Sequence, residues 1–252
     1  MRSDRWKDWS VNVVQGLLGQ VGLKIARLPT FPNIDPADEA TYQAVRAYTM
    51  TSAARVHALI ESVRYIVRED IPGAIVECGV WKGGSMMAAL QTLVATRVTD
   101  REAYLFDTFE GMTEPGDEDG AAEKKMFRKM AREDGTSDWI RAGLGEVRGH
   151  IASCGYPMER IHFCKGRVEH TIPGGAPDRI ALLRLDTDWY ASTLHELEHL
   201  YPRLQEGGVL IIDDYGTWEG ARRAVDEYFS RERPRRFFLH RIDDTGRLWI
   251  KT

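Results

Sequence analysis

The sequence predicts an α/β chain wound around a doubly wound, mostly parallel, Rossmann-like sheet, and three observations predict it. First, residues 74–76 form a short apolar run that reads as a buried strand. A glycine-bearing turn follows, and then Ser85, Met86, Ala89, Leu90 and Leu93 recur at helical spacing. Such a strand–turn–helix opens a doubly wound sheet, in which ligands bind at the carboxyl ends of the strands. Second, apolar runs at 103–106, 161–164, 180–185 and 208–212 alternate with connecting segments, as parallel strands joined by crossovers do. Residues 180–185 are nearly all apolar, which suits a central strand covered on both faces. Third, residues 237–242 and 248–250, joined by Asp243-Asp244-Thr245-Gly246, read as a terminal hairpin.

The remaining segments follow in order. Residues 1–40 read as a partly helical N-terminal extension, with Val14, Leu17, Leu18, Val21, Ile25 and Leu28 on one face up to Pro29. Its basic residues Lys7, Lys24 and Arg27 are too few for a strong membrane surface, so packing on its own core or on a second subunit is expected. Between 38 and 68 a helical pattern places Val56, Leu59, Ile60, Val63 and Ile66 together, and Ile71-Pro72-Gly73 turns the chain into the first strand. Residues 109–135 are polar and punctuated by Gly111, Pro115, Gly116 and Gly120; so long a connection is expected to be a lid. Residues 137–153 read as helix, and so do 218–233, which Pro234 stops.

Composition narrows the function classes. A hydrophobic share of 43% against 29% charged residues is that of an ordinary globular domain, and 252 residues suffice for one large core. A formal net charge of −4 argues against a general nucleic-acid binder. Cys78, Cys154 and Cys164 lack C-x-x-C spacing, so neither a zinc ribbon nor a disulfide scaffold is indicated. They read as buried thiols of a reducing compartment, and a cytoplasmic protein is expected. No run approaches the roughly 18 apolar residues of a transmembrane helix, and no signal-peptide pattern stands at the N-terminus.

Glycine spacing narrows the ligand. In Gly79-x-Trp81-x-x-Gly84 an indole occupies the position where a dinucleotide fingerprint needs glycine to let backbone approach a pyrophosphate. No G-x-x-x-x-G-K-[ST] occurs either. What remains is Glu77-x-Gly79-x-x-x-Gly83, similar to the first motif of S-adenosylmethionine-dependent methyltransferases. Asp107, at the end of the second strand, stands where such folds place a carboxylate on ribose hydroxyls. Asp186, Asp188, Asp213 and Asp214 follow the two central strands. Carboxylates about 4 Å apart repel by roughly 4 kcal/mol per pair at an effective dielectric near 20, so either they hold protons or a cation sits among them. An all-oxygen set suits Mg²⁺. Such an ion has a use there. Moving a proton from an alcohol to a free aspartate costs on the order of 16 kcal/mol, and a bound cation lowers that cost by polarising the hydroxyl. A competing pattern, His195-Glu196-Leu197-Glu198-His199, matches the H-E-x-x-H zinc motif. A helical wheel turns both histidines away from Leu194, Leu197 and Leu200, and no third ligand is identifiable, so zinc is not expected.

From residue 48 onward the chain resembles the macrocin O-methyltransferase (TylF) family of sugar O-methyltransferases. The resemblance rests on Tyr48-Thr49-Met50, Ile75-Val76-Glu77-Cys78-Gly79-Val80-Trp81-Lys82-Gly83-Gly84 and Phe106-Asp107-Thr108-Phe109-Glu110-Gly111-Met112. It rests also on Leu183-Arg184-Leu185-Asp186-Thr187-Asp188-Trp189-Tyr190-Ala191-Ser192-Thr193 and Asp213-Asp214-Tyr215-Gly216-Thr217-Trp218-Glu219-Gly220. It implies a class I methyltransferase domain over 41–252, with a seven-stranded sheet whose last strand is antiparallel. It implies S-adenosylmethionine bound by Met50, Glu77, Gly79, Trp81, Ser85, Asp107, Thr108 and Asp186, with Gly166, Arg167 and Val168 near the adenine. Arg167 and Val168 depart from the family's usual aromatics there. It implies Mg²⁺ on Asp186, Asp213 and Asp214 beside sugar hydroxyls, with Asp188 as base and Asp186 sharing the role. A homodimer acting on a sugar or glycosylated small molecule follows from the same resemblance. Methylation of a catechol-type hydroxyl, or cofactor binding without catalysis, are the alternatives.

Overall fold

The computed structural model describes residues 34–252 apart from 135 and 235. The extension expected over 1–40 therefore lies almost wholly outside the described residues. The elements run α1 (Pro36–Val45), α2 (Ala53–Arg68), β1 (Ala74–Cys78), α3 (Gly84–Ala95), β2 (Ala103–Asp107), α4 (Ala121–Met130), α5 (Leu144–Ala152), β3 (Ile161–Lys165), α6 (Val168–Thr171), β4 (Ile180–Leu185), α7 (Tyr190–Leu200), β5 (Leu204–Ile212), α8 (Glu219–Glu232), β6 (His240–Arg241) and β7 (Arg247–Ile250). One seven-stranded sheet has the order β3-β2-β1-β4-β5-β7-β6. Strands β1 to β5 pair in parallel, and β7 runs antiparallel between β5 and β6. Strand order reverses between β1 and β4, so the crevice at their carboxyl ends is the switch point where such sheets take ligands.

Both faces of the sheet are covered, which is why β1 and β4 are buried along their whole length. On one face α2, α3 and α5 pack Val56, Leu59, Ile60, Leu90, Leu93 and Ile151 against Ile75, Leu105 and Leu182. On the other, α7 and α8 pack Leu197, Leu200, Val225, Tyr228 and Phe229 against Val76, Leu183, Leu210 and Trp249. Each core is a helix stripe at 3.6-residue spacing meeting a strand face at period two.

Two expectations about elements need correction. The helical stretch at 38–68 is two helices: Asp35 caps α1 through the Ala37 N–H, and Ser52 caps α2 through the Arg55 N–H. The seven residues between them form a strap, and the Tyr48 carbonyl accepts the Gly84 N–H at 2.9 Å. The helix expected over 137–153 is formed only from Leu144 onward, because Ile140 has φ +52 and breaks the helical path. The connection at 109–135 carries α4 and makes two hydrogen bonds to the start of α7. The Trp189 indole donates to the Thr113 carbonyl at 3.0 Å, and the Tyr190 N–H donates to Asp119 Oδ1 at 2.9 Å. Asp119 thus satisfies a backbone donor at the start of α7 that the helix itself leaves open.

Candidate active site

The sheet hydrogen bonding continues one step past the strand ends. The Gly79 N–H meets the Phe106 carbonyl, that of Asp186 meets Cys78, and that of Asp213 meets Leu185, each at 2.9 Å. This sets the glycine turn, the β2 acid and the β4 and β5 acids side by side on one rim. Gly79 has φ +79, and a Cβ there would lie 1.9 Å from the Asp186 carbonyl oxygen. Only glycine fits. Asp107 folds back onto this turn: Oδ2 accepts the N–H groups of Val80 (2.6 Å) and Trp81 (3.0 Å), and Oδ1 accepts that of Phe109 (2.6 Å). Desolvation nonetheless raises its pKa.

Beneath the rim sits an arginine. Arg184 and Glu77 face each other across the β1–β4 register, on the same side of the sheet. Arg184 is 3% exposed. It pairs at 2.7 Å with Glu77 Oε1, Asp186 Oδ2 and Asp213 Oδ1, and at 2.9 Å with Thr51 Oγ1 of the strap. Arg55 of α2 pairs with the other Asp213 oxygen and, at 3.0 Å, with Asp243 in the β6–β7 turn. Even so, acids outnumber guanidiniums. Glu77, Asp107, Asp186, Asp188, Asp213 and Asp214 line one cavity with Arg55 and Arg184, a formal surplus of four negative charges. Burial pushes the Glu77 and Asp188 carboxyls up to about 7 and raises Asp186 and Asp214 as well. The other oxygen of Glu77 and Asp214 Oδ2 are buried without a hydrogen-bond partner.

Every site residue expected from the sequence lies on one of two adjoining cavities. The larger, of about 250 Å³, is lined by Met50, Glu77, Gly79, Trp81, Ser85, Asp107, Asp186, Asp188, Asp213 and Asp214. The smaller is lined by Thr108, Gly166, Arg167 and Val168, and it shares Gly79, Asp107 and Asp186 with the first. Within the acid group the arrangement differs from the expected set. Oxygens of Asp186, Asp188 and Asp214 converge within 4.8 Å of one another. Asp213 instead spends both oxygens on Arg184 and Arg55. The donor set is all-oxygen, carries excess negative charge and includes an unpartnered buried oxygen, so it fits a hard divalent cation.

The geometry of the H-E-x-x-H residues is not the one the wheel gave. His195 Nε2 lies 3.1 Å from the Ile172 carbonyl, and the two imidazoles lean on each other with centroids 4.4 Å apart. Glu196 is wholly buried, with Oε2 at 3.1 Å from Thr187 Oγ1 and Oε1 unpartnered. The sequence reading gave no role to Arg55, Arg184 or Glu196. A charged residue inside the apolar run 180–185 was the available signal for Arg184.

A glycine turn opposite a rim of acids, on a sheet whose last strand runs antiparallel, defines a class I methyltransferase, an enzyme class that uses S-adenosylmethionine. The chain belongs to the macrocin O-methyltransferase (TylF) family, whose model matches residues 32–251; it is an O-methyltransferase. It is 32% identical over 98% of its length, and 94% of the relative's, to 8-demethyl-8-(2,3-dimethoxy-α-L-rhamnosyl)-tetracenomycin-C 4'-O-methyltransferase of Streptomyces olivaceus. It is 34% identical over 73% of its length, and 71% of the relative's, to mycinamicin III 3''-O-methyltransferase of Micromonospora griseorubida. Among solved structures it is similar to the O-methyltransferase NovP, with a TM-score of 0.74 and 28% identity, covering 97% of this chain and 99% of that one.

Proposed function

We propose that this chain transfers the methyl group of S-adenosylmethionine to a sugar hydroxyl of a glycosylated metabolite, oligosaccharide or polysaccharide, with Mg²⁺ held at the β4–β5 rim. The observation that carries the reading is the convergence of Asp186, Asp188 and Asp214 in a cavity that also touches the glycine turn. The relatives named above, which methylate rhamnosyl tetracenomycin and mycinamicin III, supply the acceptor class.

Asp186 and Asp214 would hold the ion under either arrangement of the acids. The third oxygen comes from Asp188 as the side chains stand, or from Asp213 once it releases Arg55. The second arrangement leaves Asp188 free to act as base, and that is the one proposed. When bound, the ion supplies polarisation of the acceptor hydroxyl. The chain does the rest. The glycine turn and Asp107 hold the donor, the rim positions the hydroxyl in line with the sulfonium, and Asp188 takes its proton as the O–CH₃ bond forms and the S–CH₃ bond breaks. The connection at 109–135 acts as a lid that helps choose the acceptor. The reading includes a cytoplasmic homodimer, for which light scattering of the purified chain tests the assembly.

The test is methyl transfer onto a panel of glycosides and catechols, with Mg²⁺ and after chelation. Transfer to glycosides that chelation abolishes supports the reading; transfer only to catechols, or full activity without a divalent ion, refutes it. Calorimetry of Mg²⁺ with Asp213→Ala and Asp188→Ala identifies the third ligand. Loss of binding in the first and not the second is expected.

A further inference from the structure

Three tryptophans meet beside the acid rim. Trp189 follows the β4 acids, Trp218 follows the β5 acids, and Trp139 comes from the connection that precedes α5. Ring centroids are 5.6 Å apart for Trp139–Trp189, 5.8 Å for Trp189–Trp218 and 6.5 Å for Trp139–Trp218, and the last pair is nearly perpendicular at 84°. Their roles differ. Trp189 is 2% exposed, with its indole N–H spent on the Thr113 carbonyl. Only Trp218 lines the cavity, and it is half-buried. Its backbone N–H bonds the Asp214 carbonyl at 3.1 Å, which ties the ring to the acid rim.

We propose that Trp218 is the platform on which the acceptor's sugar ring lies, with Trp139 and Trp189 as positioning residues that fix its plane. This rests on the sugar reading of the same site. A pyranose is two-sided: its C–H face is apolar, and its hydroxyls radiate from the edge. An indole offers a broad, rigid apolar face, at little entropic cost because it has two side-chain torsions. With the C–H face on Trp218, the hydroxyl edge meets the acids beside it. Edge-to-face packing by two further indoles removes the freedom of Trp218 to turn, so its plane is set before the acceptor arrives. Ligand sites combine an apolar wall with a few converging polar groups, and here both parts lie within one cavity.

The experiment compares wild type, Trp218→Leu, Trp218→Phe and Trp139→Leu on a panel of aryl rhamnosides and glucosides. Each variant's melting temperature and affinity for S-adenosylmethionine are measured alongside. Trp218→Leu is expected to raise the acceptor KM about tenfold with cofactor affinity within twofold of wild type. Trp218→Phe, which keeps an aromatic face, is expected to recover most of that loss. Trp139→Leu is expected to raise KM about threefold with kcat unchanged, a split that a merely structural role would not give. An acceptor KM within twofold of wild type in Trp218→Leu overturns the platform and leaves the sugar reading standing. A loss confined to melting temperature or cofactor affinity overturns it too. A wild-type enzyme that methylates no glycoside on the panel overturns the sugar reading itself, and the platform with it.

Discussion

Replacing Arg184 by methionine removes the one cation that, among the described residues, touches Glu77, Asp186 and Asp213 together. Methionine is close to isosteric with the aliphatic part of arginine, so the variant mainly deletes charge. Removing one partner of a buried ion pair costs about 3–5 kcal/mol, because the other charge is left without compensation. Here Glu77 and Asp213 are nearly as buried as Arg184, so the upper half of that range is expected. For a domain of this size about 1 kcal/mol moves the melting temperature by about 2–4 °C, which gives a fall of roughly 8–20 °C. The same deletion leaves the rim one unit more negative, so Mg²⁺ should bind more tightly and restore part of the loss by mass action. Thermal melts of wild type and Arg184→Met, with and without millimolar Mg²⁺, read both effects. A variant that melts within 2 °C of wild type, or one that Mg²⁺ fails to stabilise more than wild type, refutes the hub reading of Arg184.

Glu196→Gln tests a buried acid with little to hold its charge. Desolvation raises its folded pKa well above 4.5, so wild type loses stability as pH climbs from the unfolded value toward the folded one; the glutamine variant should lack that slope in pH-dependent denaturant melts. Asp243 behaves oppositely. Although burial opposes it, hydrogen bonds from Ser52, Gly246 and Thr245 and the charge of Arg55 bring its pKa down to about 2. Its contribution is complete above the ordinary 3.8 and disappears as pH falls toward 2. After discount for its exposure it should be worth about 1 kcal/mol, read as a smaller acid-side slope in Asp243→Asn. Gly79→Ala forces a Cβ against the Asp186 carbonyl and should abolish S-adenosylmethionine binding in calorimetry; binding within threefold of wild type would contradict the close approach described.

The positions of the parallel strands along the chain could be read directly because each is a short apolar run, and each ends on a residue that changes character abruptly. The acids Asp107, Asp186, Asp213 and Asp214 stood out for that reason, and all line the cavities. Side-chain direction could not be read the same way. Whether Asp188 or Asp213 joins Asp186 depends on two arginines, one of them 158 positions from Asp213 in the chain. Arg184 was hidden because an apolar average over 180–185 absorbs one charge, and its meaning comes only from the β1–β4 register. The strap between α1 and α2 was missed because both helices continue one periodic pattern, while Ser52 looks ordinary until its hydroxyl is seen to cap α2. Glu196 drew no reading beside two histidines that looked solvent-facing, but Thr187 and the segment after α6 cover that flank of α7.

Asp186 borders both cavities, so on the proposed reading one carboxylate touches both the donor and the ion. Thermodynamic reciprocity then makes each occupant a modulator of the other by an equal factor. On the proposed reading, magnesium depletion would change this enzyme's hold on its methyl donor by the same factor as donor depletion changes its hold on magnesium.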